Sequence, residues 1–300
     1  VSALAAEAWT VTCPWAPSGV AAMVNQKAAS LSTTYSQDYV LVANAEKGDT
    51  ATINSWLTKY TEADPQMCFI GEGMFGITAI LDPERMNFTY DDFEYVENLY
   101  SSIFVASARK ELGLTSIDAL KAYLEEGNQI MVGTNGATGS EAFLAAALIG
   151  AMGYGDQFYL IPYESAAEAA QAVARGEVDI AVSHQSQILE TWQQGGVDVF
   201  AAFDGEPIAQ GPFKGVEGVG QYGYPYFRNR CFIFAKAGAD EQKIADLKAL
   251  YAQILTDEEM VDWLNNTMLL EADMMTEEEV IAHIDNVKNI VEEYYDLVAE

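Results

Sequence analysis

The stretch from Ile130 to Met152, IMVGTNGATGSEAFLAAALIGAM, reads as a strand, a glycine-punctuated loop and a helix. Ile130, Met131 and Val132 are an apolar run of strand type, and Glu141 onward is alanine- and leucine-rich. Between them Gly133, Gly136 and Gly139 alternate with Thr134, Asn135, Thr138 and Ser140. Glycines let a backbone come close to a ligand, and a helix start leaves several N–H groups unpaired. Such a start favours an anion. The loop lacks the Lys-Ser/Thr that closes a Walker A loop and the glycine spacing of a dinucleotide fingerprint, so it points to a smaller anion such as a carboxylate. The alternative is an ordinary strand-to-helix turn capped by Thr138 or Ser140.

The flanking pattern alternates strands and helices. Trp9 to Cys13 reads as a first strand, broken by Pro14-Trp-Ala-Pro-Ser-Gly19 and followed by a helix over 20–31. Strands are expected at 39–43 and 67–70, the latter ending in Gly71-Glu72-Gly73, with a helix over 50–60 capped by Asp49 or Thr50. Ligands of open α/β sheets bind at the carboxyl ends of strands, where these glycine-bearing turns fall. The pattern restarts after residue 106. Ser116 caps a helix to about 125, and strands are expected at 158–162, 178–182, 197–203 and 230–235. Two long helices close the chain, with Ile244, Leu247, Tyr251 and Ile254 on one apolar stripe and Val280, Ile284, Val287, Val291, Tyr294 and Val298 on the other. Such alternation implies parallel sheets.

Composition bounds the function. Lys and Arg number 15 against 45 Asp and Glu, a formal net charge of -30, which repels nucleic acid and anionic lipid. No apolar run approaches the ~18 residues of a membrane span. Cys13, Cys68 and Cys231 are too scattered for a disulfide framework or zinc ribbon and read as small core residues, and His184 and His283 leave little for histidine-based metal or triad chemistry. The N-terminal VSALAAEA is either the tether left after removal of a signal segment or a frayed end.

In this order the motifs resemble the substrate-binding receptors of the tripartite tricarboxylate transporters, the Bug proteins. Val11 to Gly19 is similar to that family's first strand and Pro-aromatic loop, and Gly133 to Ser140 to its Gly-Ser-x-Gly-x-Gly-Ser loop. Ile161-Pro-Tyr163 followed by Ala-Arg-Gly176-Glu-Val-Asp179 resembles Val-Pro-Tyr followed by Gly-Gly-x-Val-Asp, and Tyr226 to Gly238 resembles the returning strand. The resemblance implies an α/β, two-lobed periplasmic-binding-protein fold, each lobe a mostly parallel sheet flanked by helices, with a ligand cleft between. Lobe one is expected at residues 9–105 plus 227–300 and lobe two at 106–226. It also implies an extracytoplasmic protein, in the periplasm or tethered at the surface, that hands a small organic acid to integral-membrane transporter subunits. A monomer without cofactor, metal or nucleic-acid partner is expected. Two departures are Ser18 in place of the family's first loop glycine and Ala22 where an Asp is usual, so ligand identity does not carry over.

The candidate ligand-binding residues are Trp15, Ser18, Gly19, Gly71, Glu72, Thr134, Asn135, Gly136, Thr138, Gly139, Ser140, Tyr163, Ser183, His184, Arg228 and Arg230. The last two are among five arginines in all and, two apart in a strand, are expected to share a face. A guanidinium matches a carboxylate with paired donors, whereas the alternative for both is a salt bridge within an acidic chain. His184 either donates to a ligand or is a satisfied structural histidine. No Gly-x-Ser-x-Gly elbow precedes Ser140 or Ser183, and no Asp-x-Asp-x-Asp-Gly loop is present, so catalysis has no recognised motif. The competing functional classes are a small-molecule-sensing interaction module and a hydrolytic or metal-dependent enzyme.

Overall fold

The computed structural model describes residues 5–298. They form two compact units, the first containing the chain up to Phe75, Asp82–Ser101 and Arg230–Ile284, the second Gly76–Leu81, Ser102–Asn229 and the chain from Asp285. The assignment of all of 227–300 to one lobe is therefore corrected. Residues 102 to 105, residues 227 to 229 and the chain after Ile284 cluster with the second unit, as does the short piece Gly76–Leu81. The reason lies in the helix Glu277–Glu293, whose single apolar stripe serves two cores. Val280 and Ile284 are buried in a cluster of the first unit, Val287 and Val291 in that of the second.

The first sheet contains β1 (Glu7–Cys13), β2 (Tyr39–Ala45), β3 (Gln66–Gly71), β4 (Phe93–Ser102), β10 (Asn229–Lys236) and β11 (Glu271–Ala272), in the order β11-β4-β10-β3-β1-β2. The second contains β5 (Phe104–Arg109), β6 (Ile130–Asn135), β7 (Phe158–Tyr163), β8 (Ile180–His184) and β9 (Val197–Ala202), in the order β7-β6-β8-β5-β9. In each sheet the strands that feed the candidate loops are parallel: β2, β1 and β3 in the first, β7, β6 and β8 in the second. Strands β10 and β5, which follow the unit boundaries, lie antiparallel to β3 and β8.

Helices Val20–Tyr35 and Glu241–Leu255 cover one face of the first sheet through Val24, Leu31, Leu247, Tyr251 and Ile254. The other face is aromatic, with Phe234 meeting the rings of Phe75, Phe93 and Tyr95 at centroid distances of 5.6 to 5.9 Å. Such pairs contribute roughly 0.5–1.5 kcal/mol each beyond area burial. In the second unit the helix Ser140–Ala151 is buried on all sides from Ser140 to Gly150. That is why its sequence is apolar all round and alanine-rich, since small side chains let it lie close against the sheet.

Two capping expectations are corrected. Gly139, with no side-chain cap, precedes the helix at Ser140, not Thr138 or Ser140. Asp49 stands before the helix Thr50–Lys59 without capping it. Its carboxylate instead accepts from Trp15 Nε1 at 3.3 Å and Arg85 Nη2 at 3.1 Å. Beyond Gly73 the chain winds into a π-helical turn, Met74–Thr78, that periodicity did not indicate. Thr276 does cap its helix: its hydroxyl accepts from Glu279 N, and the Glu279 carboxylate accepts from Thr276 N. The side chain of Val298 lies outside the described residues. No helix among the described residues is long and apolar enough to cross a membrane.

Candidate functional site

In the second unit the parallel strands β6 and β8 run side by side, with Val132 opposite Ile180 and Gly133 opposite Ala181. Their carboxyl ends therefore emerge together, and β7 ends beside them, with Asn135 opposite Tyr163. This brings Thr134 to Ser140, Tyr163, Ser183 and His184 to one end of the sheet. Thr134, fully buried, donates its hydroxyl to Gly136 O at 2.7 Å and so fixes the turn. Gly136 adopts φ 72, a left-handed conformation, and its N–H donates to Tyr163 O at 3.1 Å, so that donor is committed to the sheet. At Gly139 an added Cβ would stand 2.8 Å from Asn135 O, a backbone atom that cannot give way. The loop thus needs glycine at 136 for conformation and at 139 for space.

Glu141 was not singled out by sequence reasoning. It is buried in the first turn of the helix, and its Oε2 is 3.4 Å from where a Gly139 Cβ would lie. An acid in the first turn takes up part of the positive field of a helix start, the same field an anionic ligand would use. The signal was available: an acid directly after the loop serine.

Ser183 is fully buried, with no hydrogen-bond partner for its hydroxyl. His184 is buried too. Its Nδ1 lies 2.7 Å from Ser102 Oγ, and its ring packs on Phe104 at a centroid distance of 4.7 Å. Burial pushes its pKa down to about 3, so the imidazole is neutral near pH 7. The ring therefore has a partner inside its own unit. Tyr163 is half-buried with its ring edge against Gly133, and burial and the neighbouring Glu177 raise its hydroxyl above the usual range. Asp179 is structural: it accepts from Arg109 Nε and from Met131 N, both at 2.8 Å.

In the first unit the corresponding ends are those of β1 and β3. Trp15 lies over Gly71, where an added Cβ would come 3.4 Å from its ring, and Gly19 leads into the helix Val20–Tyr35 with no side-chain cap and no acid in the first turn. The Gly19 N–H donates to Ala16 O at 2.8 Å, so it is committed within the loop, and Ser18 is exposed. Glu72 is fully buried and accepts from Arg230 N at 2.7 Å, joining the end of β3 to the start of β10.

Arg228 lies just before β10, outside the strand that holds Arg230, so the two are not strand neighbours. Arg228 falls in the second unit, where its Nη2 donates to Asp204 at 2.8 Å; Arg230 falls in the first, where its Nε donates to Asp273 at 2.6 Å and its Nη1 lies 3.2 Å from His283. Each guanidinium is paired with an aspartate of its own unit, as in the salt-bridge alternative. The cysteines are all free and buried, and burial raises the Cys13 thiol to about 12, out of reach of nucleophilic or ligating use at neutral pH. Among the described residues no group of three or more His, Cys, Asp and Glu is placed to hold a metal ion.

A strand-end loop running into a helix, present in each of two α/β units, defines a class, and the chain has the fold of the periplasmic solute-binding proteins. It is similar to the periplasmic binding protein BugD, at TM-score 0.82 and 16% identity over 98% of both chains. It is also similar to MatC of Rhodopseudomonas palustris with bound malate, at TM-score 0.79 and 17% identity over 97% of this chain and 98% of that one. A second R. palustris protein, solved with adipate, gives TM-score 0.84 and 15% identity over 97% and 96%. No family model and no curated protein matches the sequence.

Proposed function

We propose that the chain is an extracytoplasmic solute-binding protein of the tripartite tricarboxylate transporter type. In this reading it captures a small organic acid without covalent change and delivers it to membrane transporter subunits. The observation that carries the reading is the uncapped, glycine-preceded helix start at the carboxyl end of a parallel strand, present once in each unit. Neighbours of the same fold hold malate and adipate, both dicarboxylates. In each unit taken by itself the proposed carboxylate contacts are backbone donors of the glycine-led helix start, in the loop before Ser140 in one and in the first turn after Gly19 in the other. Trp15 and Gly71 flank the helix start of the first unit, and Ser183 stands at the end of β8 in the second. Arg228 and Arg230 act indirectly, by holding Asp204 and Asp273 in place. In this reading the chain works as a monomer.

A thermal-shift and calorimetric screen of di- and tricarboxylates, amino acids and aromatic acids tests this. A ligand that binds only the folded state raises the melting temperature. An organic acid is expected to stabilise the chain, unchanged in mass after incubation. Stabilisation by sugars or polyamines alone would defeat the carboxylate reading, and turnover would favour an enzyme. Glu141→Gln sharpens the test. Removing a buried negative charge beside the loop should tighten acid binding several-fold, about 1 kcal/mol; weaker binding would instead make Glu141 a ligand partner.

A further inference from the structure

The stretch from Glu217 to Tyr226 takes no part in the candidate site. Tyr222, 39% exposed, and Tyr224, half-buried on the core of the second unit, stack with ring centroids 6.3 Å apart and planes 8° from parallel. Tyr226 holds the stretch down, its ring filling the space where side chains at Gly205 and Gly220 would stand. Tyr154, beyond the end of the helix Ser140–Ala151, is close enough to Tyr224 to interact electrostatically. Three carboxylates lie close enough to act on hydroxyls of this group, Glu217 and Asp118 on Tyr222 and Glu125 on Tyr154. Lys121 is the opposing charge near Tyr154. The Glu217 oxygen Oε2 is shielded from solvent and has no hydrogen-bond partner. Burial first, and these carboxylates next, push the Tyr222 and Tyr154 hydroxyls above their ordinary range.

We propose that this tyrosine stack is a docking surface for an arginine side chain presented by a protein partner. The rings are parallel and offer a flat outer face, which a planar guanidinium extends by stacking, whereas a compact, strongly hydrated ammonium gains less. Three carboxylates against one lysine favour a cation locally, and the chain's net charge of -30 steers basic surfaces toward it. A small free cation would touch this open face on one side only. An arginine carried on a protein adds the contacts around it, and tyrosine and arginine are both enriched among interface anchors. The site lies wholly in the second unit and is independent of the organic-acid reading.

The test uses the whole chain with labelled tyrosines and the peptide Gly-Arg-Gly-Arg-Gly as probe, with lysine and citrulline peptides alongside, followed by NMR at fixed ionic strength. The arginine peptide is expected to shift the Tyr222 and Tyr224 ring resonances, the lysine peptide to bind more weakly, and the citrulline peptide not to bind. Glu217→Gln should weaken arginine binding about fivefold, and Tyr222→Ser with Tyr224→Ser about tenfold or more. Tyr222→Leu keeps apolar bulk without the π face and replaces the serine pair if that unfolds early. Equal binding of arginine and citrulline peptides, unmoved tyrosine resonances, or unchanged affinity in the variants would overturn the proposal in favour of diffuse attraction to an acidic surface. Organic-acid stabilisation measured on the same variants is expected to match the parent, so this proposal and the transport reading fail separately.

Discussion

Gly136 and Gly139 are three residues apart and required for different physical reasons. At Gly136 an alanine meets open space but must adopt φ 72, which costs about 1 kcal/mol; at Gly139 the backbone angle is ordinary and the methyl collides with Asn135 O. Urea unfolding should show Gly136→Ala losing about 1 kcal/mol while acid binding survives. Gly139→Ala should lose about 1–3 kcal/mol together with binding, because the loop itself must move. Equal effects at the two positions would mean the loop is softer than its contacts imply. His184 carries a second residue-level prediction. Its folded pKa of about 3 lies far below the ordinary 6.5, so its contribution to stability is complete above pH 6.5 and is lost as pH falls toward 3. Relative to His184→Asn, the parent should lose about 2–3 kcal/mol of unfolding free energy between pH 7 and 4.5. Parallel pH curves for the two proteins would show that His184 titrates normally.

Among the elements, the short strand β11 pairs with β4, and a buried carboxylate of β4 helps to fix the turn that follows. Glu97 Oε1 accepts from Met275 N at 3.1 Å, from Asn98 N at 2.9 Å and from the Tyr95 hydroxyl at 3.2 Å. Desolvation nonetheless outweighs these donors and raises its pKa above the ordinary 4.5. A raised carboxyl pKa means the protonated form is the better accommodated one: its advantage is full below pH 4.5 and lost as pH rises through the folded value. Glu97→Gln keeps the accepting oxygen and removes the charge. It should be at least as stable as the parent at pH 7, with the difference closing as pH falls to 4.5. A glutamine variant markedly less stable at pH 7 would show that the ionised carboxylate itself secures the turn.

For the whole molecule the dominant long-range term is self-repulsion. At a net charge of -30, raising salt from ~0.01 M to ~0.15 M shortens the Debye length from ~30 Å to ~8 Å and screens repulsion between like surface charges. The melting temperature should therefore rise with sodium chloride over that range. A fall would mean that ion pairs such as Arg109 with Asp179 and Arg230 with Asp273 outweigh the repulsion.

What the sequence determined by itself was the order of the strands from β1 to β3 and from β6 to β10, the apolar stripes of the closing helices and the strand-loop-helix at Ile130 to Met152. These follow from local periodicity and from glycine and proline punctuation, which act within a few residues. Tertiary structure decided the rest. Arg228 and Arg230 sit two apart in sequence, but a unit boundary passes between them, and each found a different aspartate. The expected donors at Gly19 and Gly136 were spent on Ala16 and Tyr163, because a backbone N–H takes the nearest well-placed carbonyl and only the folded loop says which that is. One helix stripe was divided between two cores for the same kind of reason: a period of 3.6 residues identifies the face that is buried, and the packing of distant segments decides against what.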